Sequence, residues 1–117
     1  MKIKAIAASI FKDHENGWSY SESALKSLAE SVNDKPVIYA KEKIGLVLSC
    51  TYEGTQLIIQ AEIHRTERIL GKDLFLVPGG LTDFVTDGDI IRECAAHHCF
   101  LTENPSDKDL TPIEIIG

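Results

Sequence analysis

The segment from Ile44 to Ile63 constrains this chain most. Leu46, Leu48, Cys50 and Tyr52 fall on one face of an extended strand, and Val47, Ser49 and Thr51 on the other. After Glu53-Gly54, Leu57, Ile59, Ala61 and Ile63 alternate with Gln60, Glu62 and His64. A period of two is the pattern of a strand whose faces meet different surroundings. Two such runs joined through a glycine-containing turn predict an antiparallel hairpin. The hairpin must bury its apolar face within a chain of 117 residues, 44% of them apolar, which is enough for one ordinary core. A single domain over residues 1–117 is therefore expected.

Around the hairpin, residues 2 to 11 read as a buried first strand and Lys12 to Gly17 as a polar break. Ser19 and Glu22 have capping-box spacing, in which each side chain bonds the other's backbone N–H. Ala24, Leu25, Leu28, Ala29 and Val32 then recur at helical steps. The spacing predicts a helix from Tyr20 to Val32, stopped at Pro36 and leaving Glu22, Lys26, Ser27 and Glu30 in water. Pro36 to Ala40 reads as a short strand, His64 to Asp73 as a loop or brief helical turn, and Leu74 to Val77 as a strand. Pro78-Gly79-Gly80 predicts a bend. Leu81 to Thr86 reads as a strand or turn closed by Asp87-Gly88. Ile90 to Thr102 fits both periods, and the Asp-Gly ahead of it favours strand. A polar loop from Glu103 to Lys108 and a terminal strand from Leu110 to Ile116 complete the chain. The predicted class is α+β, a mainly antiparallel sheet with room to become barrel-like and one principal helix.

Charge narrows the partners. Twelve Lys and Arg against eighteen Asp and Glu give a net charge of -6, a field that repels phosphate backbones, so no nucleic acid is expected as a partner. Lys41 and Lys43 in a charged turn read as solvated. Cys50, Cys94 and Cys99 are odd in number and lie in or beside apolar runs, which fits a reducing compartment. The apolar stretch from Ala5 to Phe11 is too short to span a bilayer, and a first strand is expected there rather than a signal segment; no membrane partner is expected.

Four groupings raise the question of chemistry. Cys94, His97, His98 and Cys99 are residue types that zinc prefers, but one short extended segment turns neighbouring side chains to opposite faces and cannot gather all four; no metal and no other cofactor is expected. Ser49 and His64 lie on the two arms of the hairpin and on its less apolar face, the one pairing that resembles a nucleophile and its base. Pro78-Gly79-Gly80 lacks the Gly-Lys-Ser/Thr ending of a phosphate loop. Asp83, Asp87 and Asp89 lack the remainder of a calcium loop.

Residues 21 to 37, ending Lys35-Pro36-Val37, then Ile44-Gly45-Leu46-Val47, Gly54 to Ile63, and Leu101 to Asp107 resemble, in order, the head-maturation (prohead) protease family of tailed bacteriophages. In that family a histidine follows the Lys-Pro-Val strand, where this chain has Tyr39-Ala40-Lys41-Glu42. The family's nucleophilic serine is expected where this chain has Lys72 to Val77 without a serine. The resemblance therefore implies no catalytic residue. It implies a non-enzymatic relative in a virion or host cytoplasm, a structural or accessory protein that decorates or stabilises a capsid. Its partner would be a capsid or other phage structural protein, or a second copy.

Two further readings accompany that one: an active prohead-type serine protease using Ser49 and His64, and a small acidic inhibitor of a host enzyme. For the structural protein, Trp18 is the candidate contact residue, because an aromatic buries much area at low entropic cost. A local alternative has Trp18 folding over the helix start as a hydrophobic staple.

Overall fold

The computed structural model describes residues 1–10, 18–105 and 110–117. In chain order the elements are β1 (Lys2–Ser9), β2 (Ser19–Tyr20), α1 (Glu22–Ser31), β3 (Pro36–Tyr39), β4 (Glu42–Glu53), β5 (Gln56–Ile63), a 3-10 turn (Thr66–Arg68), β6 (Phe75–Gly79), β7 (Thr82–Asp87), β8 (Ile90–Ala95), β9 (His98–Thr102) and β10 (Glu114–Ile115). The polar break at Lys12 to Gly17 and part of the loop after Glu103 lie outside the described residues.

The fold is α+β, with mostly antiparallel strands. A seven-stranded sheet of order β10-β1-β5-β4-β3-β9-β6 curls into a half-barrel, and a three-stranded sheet has the order β2-β8-β7. Two pairings, β3 with β9 and β2 with β8, are parallel. The curl follows from bulges, since an extra residue on one strand bends it and increases its twist. Ala7 is extra on β1 opposite β5, Ile44 on β4 opposite β3, and Leu48 on β4 opposite β5. Inside the curl, Leu25 and Leu28 of α1 share one buried cluster with Val37, Val47, Leu57 and Ile59. Each of those leucines contributes about 2 kcal/mol by leaving water. Among the described residues no helix is long and apolar enough to cross a membrane.

The hairpin forms as β4 and β5, turning at Gly54 with φ 61°. Leu57, Ile59, Ala61 and Ile63 are all buried, as their alternation predicts. The upstream half of β4 does not keep the predicted faces. A one-residue insertion exchanges inside and outside, so Val47 is fully buried while Leu48 is 44% exposed.

The helix starts later than the capping-box spacing predicts. Ser21 is the N-cap, its Oγ accepting from the Ala24 N–H at 3.1 Å, while Ser19 belongs to β2. Glu22 is then the first helical residue and ion-pairs with Lys26 at 3.2 Å. Ile90 to Thr102 is extended, as predicted, but breaks at Ala96-His97 into strands of two different sheets. Ser31 at the end of α1 fastens that break, its Oγ accepting from the Ala96 N–H at 2.9 Å. The bend expected over Pro78-Gly79-Gly80 falls at its last residue: Pro78 and Gly79 stay in edge strand β6, where a missing N–H is harmless, and Gly80 turns the chain with φ 61°. The terminal strand is reduced to Glu114–Ile115.

Candidate functional site

Among the described residues the small sheet carries three of the seven exposed large apolar side chains, Phe84, Val85 and Ile90. The start of α1 is sewn to β8: the Ser19 N–H donates to the Asp89 carbonyl at 3.0 Å, the Ser21 N–H to Ile91 at 2.9 Å, and the Ser23 hydroxyl to Arg92 at 2.7 Å. This seam places Trp18 beside the tip of the β7–β8 ribbon. Tyr20, immediately before the N-cap, is buried and occupies the staple position assigned by sequence to Trp18. Trp18 instead packs edge-on against Tyr20, with ring centroids 5.1 Å apart and planes at 74°. Its other surroundings form a hollow of about 270 Å³ lined by Trp18, Phe84, Thr86, Gly88, Asp89 and Ile91.

The hollow is open to solvent, and Phe84 on its lining is 51% exposed; Val85, 50% exposed and paired with Glu93, and Ile90 are also exposed on the ribbon but do not line the hollow. All six residues of β7 are exposed, because the strand pairs only with β8, its register shifts twice, and Asp83 adopts φ 58°. Such irregularities protect an edge against indiscriminate strand pairing, so the ribbon presents side chains in preference to its backbone.

A second surface feature lies around the 3-10 turn. Arg65 and Arg68 both grip the Glu42 carboxylate, Arg68 at 2.6 Å, and Arg65 also holds Glu67 at 2.6 Å. Arg68 and Lys72 lie over the Tyr39 ring, 5.9 and 5.0 Å from its centroid. These bonds raise the Arg65 pKa and lower that of Glu67, each through the side-chain hydrogen bond between them first.

The remaining predicted positions do not converge. Ser49 pairs with Gln60, and His64 lies four residues beyond it, so the register separates them by about 13 Å at the rise of a strand. Both are exposed. Of the cysteine–histidine group, Cys94 and Cys99 are buried. His97 shares a 2.7 Å hydrogen bond with the Thr82 hydroxyl, and His98 lies over the glycine pair. A Cβ on Gly79 would meet His98 Nε2 at 2.5 Å, which gives Pro78-Gly79-Gly80 a packing role. Among the described residues no three His, Cys, Asp or Glu side chains are grouped to hold a metal.

Burial pushes the Cys50 thiol up to about 12 and the Cys94 thiol to about 11, and raises Cys99 further, with Cys50 adding to the effect. Protonated thiols of this kind are poor nucleophiles at neutral pH. Phe84 and Val85 were not singled out by sequence; β7, which carries them, is exposed along its whole length and has no alternation to read.

No protein family, curated protein or solved structure matches this chain.

Proposed function

We propose that the protein is a non-enzymatic structural or accessory component of a tailed-phage head that attaches to a capsid or other phage structural protein through the apolar face of its small sheet. The setting comes from the sequence resemblance, and the geometry supports the mode of action. The observation that carries it is the hollow lined by Trp18, Phe84 and Ile91, whose Phe84 is 51% exposed, with Thr86 and Asp89 at its polar edge. Contiguous exposed apolar surface with aromatic residues and a polar rim is the usual mark of a protein contact site. Phe84 is bound into no core, so its exposure serves recognition better than folding.

Co-sedimentation with purified phage heads tests this reading, using wild type, Trp18→Ala and Phe84→Ser. Wild type should pellet with heads, and Phe84→Ser should stay in the supernatant while melting within a few degrees of wild type. Equal pelleting of wild type and Phe84→Ser, or no pelleting of wild type, would remove the basis of the proposal.

A further inference from the structure

The hollow has a counterpart on the same chain. Leu70 is 57% exposed in the turn after the 3-10 segment, with Ile69 buried before it and Gly71 at φ 75° after it. An aliphatic side chain displayed this far into water is flanked by Arg68 and Lys72, both steadied by the Tyr39 ring. Residues 39–43 and 64–72 together carry five Lys or Arg and two Glu, in a chain of net charge -6. Residues 82–95, which build the ribbon, carry four Asp or Glu and one Arg. Thus an apolar knob sits among cations, and an apolar hole carries the carboxylate of Asp89 on its lining with Asp87, paired to Arg92, in the same turn.

We propose that a second copy of this chain fills the hollow, Leu70 of one molecule entering between Trp18, Phe84 and Ile91 of the next while the cations beside Leu70 face Asp89 and its acidic neighbours. At about 270 Å³ the hollow is smaller than most small-molecule sites, which run from about 300 to 1,000 Å³, and suits a single side chain. The two features belong to opposite ends of the fold. Because β3 and β9 run parallel, the β3–β4 turn beside the cations lies past the last residues of β9, whereas β8 joins β9 at its first. The molecule measures 42 Å along its longest axis, so knob and hole cannot satisfy each other within one chain. Contact between different patches is head-to-tail and continues into a ring or a filament. Opposite charge sets the direction and disfavours hole-to-hole pairing.

This inference rests on the proposed role of the hollow as the contact surface and names a second copy, itself a structural protein under that reading, as what enters it; the hollow at the open end of a row of copies is the one left to meet the head. Sedimentation of wild type, Leu70→Asp, Phe84→Asp and an equimolar mixture of the two variants tests it, with thermal melts to establish folding. Phe84→Ser replaces Phe84→Asp should the latter fail to fold. Wild type should sediment above the 12.9 kDa of one chain, increasingly so with concentration and less so with added salt. Each variant alone should run as a monomer. Their mixture should form a one-to-one dimer, because Leu70→Asp retains a hole and Phe84→Asp retains a knob.

A monomeric wild type at every concentration, or a mixture that stays monomeric, overturns the proposal. Head binding is measured in parallel. Wild type that binds heads while monomeric removes the second copy and leaves the functional reading standing; self-association without head binding does the reverse.

Discussion

Replacing Gly45 by alanine should be among the most damaging single changes in this protein, although it adds only one methyl group. Gly45 sits where β4 is paired on both sides, opposite Val37 and opposite Ile63. A Cβ built there would lie 2.2 Å from the carbonyl oxygen of Glu62 and 2.9 Å from Cδ1 of Ile63. The Ile63 methyl can rotate away, but the Glu62 oxygen is backbone. An ordinary carbon–oxygen contact exceeds 3 Å, so the end of β5 must retreat by about 1 Å. That retreat pulls on the bonds fastened there, from the Ile63 N–H to the Met1 carbonyl and from the His64 N–H to the Ile44 carbonyl, both 2.7 Å.

Overpacking a well-filled site costs about 1–3 kcal/mol, and a backbone obstacle places this case near 3. At roughly 4 °C per kcal/mol for a domain of this size, the melting midpoint should fall by about 12 °C. Gly54→Ala provides the contrast: no atom lies within 4 Å of its Cβ position, and only its φ of 61° is unfavourable to alanine. Its cost should be about 1 kcal/mol. Urea titrations followed by far-ultraviolet circular dichroism give both values. A Gly45→Ala variant within about 1 kcal/mol of wild type, or less damaged than Gly54→Ala, would refute the steric reasoning.

The position of the helix start is tested by two serines. Ser21→Ala should lower stability by about 1 kcal/mol through loss of its bond to the Ala24 N–H, and Ser19→Ala should cost clearly less; a reversed order in denaturant midpoints would restore the capping-box register. Burial of the thiols sets an alkaline limit. Cys50 and Cys94 have folded pKa values raised from 9.0 to about 12 and 11. Above pH 9 the unfolded chain loses protons that the folded one keeps, so this contribution is full below pH 9 and is lost as pH rises towards 11. The urea midpoint should therefore decline over that interval and decline less in a variant with all three cysteines changed to alanine; equal declines would contradict the assignment.

Legibility in the sequence followed the range of the interaction that decides each feature. The alternation of Leu57, Ile59, Ala61 and Ile63 is local, and β5 keeps it. The same reading fails at Leu48 because a bulge depends on how β4 registers against β5, which no periodicity within β4 reports. Both Ser19 and Ser21 have suitable cap chemistry. The choice between them is made by the pairing of Ser19 and Tyr20 with Ile90 and Ile91, some seventy residues away. Trp18 was visible as a contact candidate by its residue type. Its companion Phe84 was not, since a strand wet on both faces carries no pattern of burial.

That same wetness separates two kinds of selection on this chain. A change at Val47 or Leu57 is felt first by the core, whatever it does elsewhere. Thr82 to Asp87 supply nothing to the interior, so substitutions there alter what the ribbon meets while leaving the half-barrel intact. Variation can accumulate in those six residues at little risk to folding, and it would remodel the ribbon's surface before it reached the core.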